Sequence, residues 1–290
     1  MAHSVKKRDP LGISLVLAFL AAGFAPAAAQ TEPVRHRYRE ADGAALMAYV
    51  FNPAASAGTE RRPAVLLLHG GGWVAGAPDW TFENARRYAG MGFVAISVEY
   101  RLSNERVTPV DALADVCAAF HWARTEAATL GIDPSRIAAH GVSAGGHLAA
   151  AAATIGCGNK EGTYGVGGPD ALVLWSPAVD VSRDGHFRRI LRERAPVEAY
   201  SPVEHIRPSM PPVHIVQGEK DVLTPLSGAK RFCEGVQAKG ATCELVAYPG
   251  LGHLLTRNLA NQEDDYDPDP VAREDGRARQ LAFLKTLWMK

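Results

Sequence analysis

The sequence has no excess of charge of either sign. Lys+Arg and Asp+Glu each number 31 among 290 residues. No chain-wide field exists to neutralise phosphates, which argues against nucleic acid or an anionic membrane surface as a general partner. Cysteine is scarce as well, with four residues, too few for a small disulfide-built scaffold. No two of them are spaced C-x-x-C, which argues against a structural zinc site. Beyond residue 30 there is no apolar run long enough to span a bilayer. Internal repeats and low-complexity tracts are also missing past that point. What remains is an ordinary folded composition, 47% hydrophobic and 21% charged, which argues against disorder over most of the chain.

The first thirty residues read as an address. Lys6, Lys7 and Arg8 are followed by an uncharged run, 11–25, then Pro26 and the small residues Ala27, Ala28 and Ala29. This is the pattern of a secretory signal peptide cleaved after Ala29, leaving residues 30–290 as one catalytic domain. At about 15 residues the run is shorter than the roughly 20 that a membrane span needs. The expectation is a periplasmic or secreted protein with no stable membrane insertion after cleavage. Its cysteines then meet an oxidising compartment.

Short apolar runs alternate with helical patterns through the rest. Strands are expected at 34–40 and 45–51 around Asp42-Gly43, and at 64–68, 93–98, 137–140, 171–175, 212–216 and 243–248. Helices are expected at 80–90, 110–130, 144–154, 226–238 and 280–288. The continuous apolar strands imply burial on both faces. The class is therefore α/β, with a mostly parallel central sheet and helices on both faces. Segments 182–207 and 257–272 fit neither pattern. Both follow strand ends, where open α/β sheets bind ligands.

Gly141-Val142-Ser143-Ala144-Gly145 matches G-x-S-x-G between a strand and a helix. Such a turn exposes a serine hydroxyl above the sheet and needs small neighbours. His69-Gly70-Gly71-Gly72-Trp73 follows another buried strand. Three successive glycines there allow backbone amides to face a cavity. The amides of Gly71, Gly72 and Ala144 are the candidate oxyanion hole. The loop lacks the lysine and Ser/Thr of a phosphate-binding loop.

Serine needs a base. His214 lies in an apolar strand and reads as core. His69 reads as a brace for the glycine turn, and His147 is too close in sequence to Ser143 to reach round to its hydroxyl. His253 sits in the loop Tyr248-Pro249-Gly250-Leu251-Gly252-His253 after the last strand, and is the candidate base. The acid that orients it is assigned to Asp221, carried past a strand end by Gly218–Lys220; Glu219 is the near competitor. The order Ser143, Asp221, His253 is that of an α/β-hydrolase.

With these residues in place, the chain resembles the α/β-hydrolase fold family, specifically its acetyl esterase and hormone-sensitive-lipase-like carboxylesterase branch. The matching segments are HGGGW at 69–73, EYRL at 99–102, GIDPSRI at 131–137, GVSAGGHLAA at 141–150, SPVEHI at 201–206, QGEKDVLTP at 217–225 and YPGLGH at 248–253. The resemblance implies the same roles for Ser143, His253, Asp221 and the glycine turn, with no cofactor and no metal. It implies a serine carboxylesterase acting on short-chain acyl esters, with acetylated carbohydrate as a substrate suggested by the family and by export. Two departures stand out. Val142 occupies a position often acidic in the family. The stretch before His69 is too short for the N-terminal helical cap many members carry, so a more open acyl site is expected. A serine peptidase of the prolyl-oligopeptidase type shares the fold, but usually brings a large extra domain. A non-catalytic binding protein would typically lose a triad member or the oxyanion glycines. A long-chain lipase would want an apolar lid, and 182–207 is too rich in Arg and Glu.

Further expectations concern support. Asp115 is expected to pair with Arg101. Two roles are open to Trp73, lining the pocket or packing under the loop. Segment 182–207 is either a small lid or an ordinary connection. Cys233–Cys243 is the favoured disulfide and Cys117–Cys157 the second candidate pair. Asp265, Asp267 and Asp269 lack the glycine and distal glutamate of a calcium loop, and read as a solvated acidic loop.

Overall fold

The computed structural model describes residue 1 and residues 32–54, 61–158 and 167–289. The expected signal peptide and its cleavage point lie outside the described residues. Among the described residues eight strands form one sheet: β1 (Val34–Ala41), β2 (Ala44–Phe51), β3 (Arg62–Leu68), β4 (Val94–Val98), β5 (Ile132–Val142), β6 (Ala171–Trp175), β7 (Val213–Gly218) and β8 (Cys243–Tyr248). Their spatial order is β1-β2-β4-β3-β5-β6-β7-β8. The β1–β2 and β2–β4 pairs are antiparallel, and every other pair is parallel. Asp42 and Gly43 both have positive φ, the backbone that a two-residue hairpin needs to match strand twist. From β3 the chain runs outward to β4, then returns to β5 on the other side of β3. The strand order therefore reverses between β3 and β5. That crevice, at the strands' carboxyl ends, is where such sheets bind ligands.

Seven helices among the described residues flank the sheet: α1 (Phe82–Gly90), α2 (Pro109–Thr125), α3 (Ala127–Leu130), α4 (Ala144–Thr154), α5 (Gly185–Leu191), α6 (Leu226–Ala238) and α7 (Pro270–Trp288). Alternation along β3 shows the layering. Leu66 and Leu68 join the core formed with Val116 and Phe120 of α2, Leu148 of α4 and Phe232 of α6. Val65 and Leu67 face the opposite layer, with Ala85 and Tyr88 of α1 and Phe283 and Leu284 of α7. Each fully buried Leu or Phe contributes about 1.5–3 kcal/mol relative to exposure, so the two layers supply most of the favourable term.

The expected elements are present, and the structure extends or refines four of them. The helix expected over 110–130 is two, α2 and α3, broken at Glu126. Strand β5 starts at Ile132, ahead of the expected 137. The terminal helix begins ten residues before 280, at Pro270, with the Asp269 side chain accepting from the amides of Val271 and Ala272. Segment 182–207, read as lid or connection, contains α5 and two 3-10 turns.

Both candidate disulfides form. Cys117–Cys157 and Cys233–Cys243 have Cα separations of 5.1 and 5.4 Å. The first ties α2 to the end of α4, and the second ties α6 to β8. Asp115, fully buried, accepts from Arg101 Nε at 2.8 Å and Nη2 at 3.0 Å, and also from Arg39. The expected brace between the sheet and α2 is therefore present. No helix among the described residues is long and apolar enough to cross a membrane.

Candidate active site

Ser143 stands between β5 and α4 with φ 51° and ψ −115°. An L-residue rarely adopts that backbone, and such strain persists only where surroundings enforce it. Here the enforcement comes from close packing of the flanking glycines. A Cβ on Gly141 would lie 2.5 Å from the Gly145 carbonyl oxygen, and one on Gly145 would lie 2.3 Å from the carbonyl oxygens of both Leu68 and His69. The turn after β5 is thus pressed against the end of β3, which places Ser143 beside the glycine turn.

Ser143 Oγ is 3.0 Å from His253 Nε2, and His253 Nδ1 is 2.8 Å from Asp221 Oδ2. The three residues come from the ends of β5, β7 and β8, and residues 110 apart in sequence meet in one hydrogen-bonded line. Asp221 and His253 are 5% and 2% exposed, so the line lies in a largely dry setting. Asp221 Oδ1 accepts from the amides of Leu223 and Thr224, and Oδ2 from Gln217 Nε2. These bonds hold the carboxylate with one oxygen aimed at the imidazole. Glu219, the near competitor, turns away and accepts from the Gly250 amide at 3.1 Å.

The glycine turn has its carbonyls pinned. A trans peptide points its N–H opposite to its C=O, so each pinned carbonyl fixes the direction of the following amide. His69 Nδ1 meets the Gly70 carbonyl at 2.7 Å, which fixes the Gly71 amide. The Gly71 carbonyl accepts from the amides of Val74 and Ala75, which fixes the Gly72 amide. Gly71 has φ +107°, and a Cβ there would lie 2.1 Å from the Ala75 carbonyl oxygen, so only glycine fits. Burial pushes the His69 imidazole below the usual histidine range, which favours a neutral ring. Tyr100 stacks on that ring at 4.3 Å and donates its hydroxyl to the His69 carbonyl at 2.7 Å. The amides of Gly71, Gly72 and Ala144 have no acceptor among the described residues. Ala144 also begins α4, so the positive end of that helix lies at the same place.

The other expected bystanders are accounted for. His214 is buried in β7 against Phe283. His147 has both ring nitrogens engaged: Nδ1 accepts from Trp73 Nε1 at 3.2 Å, and Nε2 meets the Tyr200 carbonyl at 2.8 Å. Trp73 fills both roles left open to it. It is 3% exposed, packs on Phe187 of α5, and also borders the cleft.

Four supporting residues had no role assigned from the sequence, although Gln217 and Thr224 lie in the matching segment 217–225. Gln262, from the segment 257–272, accepts through Oε1 from the amides of His253 and Val222, and donates through Nε2 to the Lys220 carbonyl. It ties the histidine loop to the aspartate loop. Ser176, at the end of β6, accepts from the Leu254 amide. The Thr224 hydroxyl lies 2.9 Å from Asp221 Oδ2 and 3.1 Å from His253 Nδ1, and Gln217 completes the shell. Such polar residues are common in loops, and only the three-dimensional arrangement distinguishes them.

A cleft of about 1140 Å³ opens over Ser143 and His253. Its walls are apolar at Trp73, Ala178, Val179 and Leu223, and polar at Asn84, Arg277 and Glu263. Trp80 stands at the rim with 62% of its surface exposed. The acidic run is only partly at the cleft. Glu263 and Asp264 border it, whereas Asp267 pairs with Arg257 and Asp269 caps α7. No cluster of His, Cys, Asp or Glu suited to a metal ion occurs among the described residues.

The chain belongs to the α/β-hydrolase fold family, whose profile matches residues 65–257. It is similar to carboxylesterase NlhH of Mycobacterium tuberculosis, 41% identical over 118 residues, or 40% of this chain and 34% of that one. The chain thus spans about a third of the length of that curated relative. Among solved structures it is similar to native esterase 2 of the planctomycete Thermogutta terrifontis, 31% identical with TM-score 0.76 over 88% of this chain and 92% of the other. The propionate-bound form of the same esterase is 31% identical with TM-score 0.75 over 88% of this chain and 94% of the other.

Proposed function

We propose that this protein is an exported serine carboxylesterase that hydrolyses short-chain acyl esters through an acyl-enzyme. One observation carries the proposal: Asp221, His253 and Ser143 form a continuous hydrogen-bonded line, with contacts of 2.8 and 3.0 Å, beside three amides that lack acceptors among the described residues.

In this reading His253 Nε2 takes the proton from Ser143 Oγ as Oγ bonds to the ester carbonyl carbon. The carbonyl oxygen becomes anionic and is held by the amides of Gly71, Gly72 and Ala144. Asp221 stabilises the imidazolium and fixes the tautomer, with Nδ1–H directed at its carboxylate. His253 then returns the proton to the departing alkoxide, and the alcohol leaves. Water enters, gives a proton to His253 and attacks the acyl carbon. Collapse of that second intermediate returns the proton to Ser143 and releases the carboxylic acid. No cofactor is needed at any step.

Trp73, Ala178 and Val179 bound an apolar space beside Ser143, which suits a short acyl chain. The propionate complex of the Thermogutta esterase supports the same size. The exposed Trp80 near Asn84 favours an alcohol with both an apolar face and hydroxyls, such as an acetylated carbohydrate. Export is supported by the basic-then-apolar start of the sequence and by the pairing of all four cysteines.

The test is hydrolysis of p-nitrophenyl esters from acetate to palmitate by the protein and its Ser143→Ala variant. Turnover is expected to be greatest at acetate to butyrate and abolished in the variant. Activity that persists in Ser143→Ala removes Ser143 as nucleophile. A preference for palmitate removes the short-chain assignment.

A further inference from the structure

We propose that His186 is a positioning residue for the oxyanion turn, so that the segment between β6 and β7 forms the back of the active site. This rests on the esterase reading given above. The His186 imidazole reaches from α5 to the glycine turn, with Nε2 2.9 Å from the Gly72 carbonyl oxygen. Residues 72 and 186 are 114 apart, and the Gly72 carbonyl makes no other hydrogen bond among the described residues.

The pinning of carbonyls extends along the whole turn. The Gly70 carbonyl is fixed by His69 and the Gly71 carbonyl by the Val74 and Ala75 amides, so the first two peptides of the turn are held from within it. The third peptide, Gly72–Trp73, is held from outside, by His186. Gly72 has φ +59°, and a glycine has the least intrinsic resistance to rotation. If its carbonyl is released, the Gly72–Trp73 peptide can turn, and it leads directly into the Val74 and Ala75 amides that hold the Gly71 carbonyl, so the grip that orients the Gly72 amide loosens with it. A preorganised donor then becomes one that must reorganise as charge develops, which lowers its value in the transition state.

The imidazole is itself held. Asp184 Oδ1 accepts from the amides of His186 at 2.8 Å and Phe187 at 2.9 Å, fixing the first turn of α5. The His186 ring lies nearly parallel to Trp73 at 6.3 Å, and the Phe187 ring meets Trp73 edge-on at 4.9 Å. Trp73, with φ +64°, is anchored in turn on His147. The short helix therefore grips both the carbonyl of Gly72 and the side chain that follows it. A neutral imidazole carrying its proton on Nε2 and an imidazolium both donate to that carbonyl.

The experiment compares wild type with His186→Ala, His186→Phe and His186→Gln on p-nitrophenyl acetate. Phe keeps a ring against Trp73 without the donor. Gln keeps an N–H at the end of its side chain. The second-order rate of inactivation by paraoxon, whose phosphoryl oxygen would occupy the same amides, is measured on each, and each variant is checked by thermal melting. Loss of kcat by about tenfold in Phe and Ala is expected, with KM within twofold and paraoxon inactivation slowed in parallel; this is less than the 10²–10³ expected from losing an oxyanion donor outright. Gln is expected to recover kcat to within about threefold of wild type. If Ala does not fold, Phe decides. A Phe variant with kcat within twofold of wild type, a change confined to KM, or a Gln variant no better than Phe overturns the proposal. An inactive wild type would instead overturn the esterase reading, so the two failures are distinguished by which protein fails.

Discussion

The indole N–H of Trp73 donates to Nδ1 of His147, 74 residues away, at 3.2 Å. This bond joins the residue that closes the glycine turn to α4, the helix that follows Ser143. It also fixes the His147 tautomer: Nδ1 accepts, so the proton is on Nε2, which faces the Tyr200 carbonyl at 2.8 Å. Burial holds the ring's pKa down at about 4, so it stays neutral across the physiological range. A histidine one turn after the nucleophile is thereby committed to architecture, and the base comes from a loop 110 residues away.

His147→Leu is expected to destabilise the fold by about 1–3 kcal/mol, because the buried indole N–H loses its acceptor. The variant's kcat is expected to fall less than about tenfold, with the pH profile of activity unmoved. His253→Ala is expected to lower kcat by at least about 10⁴, as loss of a triad base does. Urea unfolding and a pH–rate profile on both variants check this. A displaced activity pKa in His147→Leu would give that ring a part in the proton transfer.

Gly145→Ala is expected to remove both activity and several kcal/mol of stability. The added Cβ would meet the carbonyl oxygens of Leu68 and His69 at 2.3 Å, and neither is the mobile end of a side chain. The β5–α4 turn would have to lift from β3, carrying Ser143 away from the amides of Gly71 and Gly72. Gly131→Ala is the control, because no atom lies within 4 Å of its Cβ position. Its cost is confined to the strain of φ +66° for an L-residue, on the order of 1 kcal/mol. Equal losses in the two variants would refute the steric argument.

These contrasts also mark what the sequence shows by itself. Strands β3, β4, β6 and β7 are legible because both their faces are buried, leaving runs that are apolar apart from Ser97 in β4 and His214 and Gln217 in β7. The glycines at 71, 141 and 145 are legible because close approach admits nothing larger, and Gly72 because its φ of +59° favours glycine. Helix α5 is not, because its seven residues include three polar ones and a glycine, and it ends at Arg192 and Glu193 with positive φ where a glycine would be the usual stop signal. The first half of α7 is hidden for a related reason. Gly276 interrupts the helical pattern because Trp175 packs against it, 2.9 Å from where a Cβ would sit. The early start of β5 is masked by Gly131 and Pro134, which read as helix punctuation. Hydrogen-bond shells such as Gln262 and Ser176 depend on which loops meet, and that information is not local.

The disulfides give unequal constraints. The Cys117–Cys157 bridge closes a separation of 40 residues and Cys233–Cys243 one of 10. Loop-closure entropy assigns about 4 and about 3 kcal/mol to them as upper values. Cys117→Ala/Cys157→Ala is therefore expected to lower the unfolding free energy more than Cys233→Ala/Cys243→Ala, and dithiothreitol to lower the Tm of wild type by more than either pair. Thermal melts of the two double variants, with and without reductant, read this directly. A wild-type Tm indifferent to dithiothreitol would mean the bridges are unformed or inaccessible, which a free-thiol count under denaturing conditions separates.

His214 supplies the last test, through acid stability. Its ring is 1% exposed, its Nδ1 has no hydrogen-bond partner among the described residues, and burial, followed by the charge of Arg279, lowers its pKa to about 4. His140 and His147 are lowered to the same value by burial. The sign follows from which state binds protons first. As pH falls through about 6.5 the unfolded chain protonates at these positions while the folded chain stays neutral until about 4. Stability is therefore lost between pH 6.5 and 4, each group adding up to about 1.4 kcal/mol per pH unit to the slope. His214→Leu removes one such group together with an unsatisfied buried nitrogen. At pH 7.5 the variant is expected to be at least as stable as wild type, and at pH 5 to gain up to about 2 kcal/mol relative to it. Urea unfolding at the two pH values measures the difference. An unchanged pH slope would mean that His214 titrates in the folded protein as it does in the unfolded chain, and that the acid limb belongs to His140, His147 and the carboxylates.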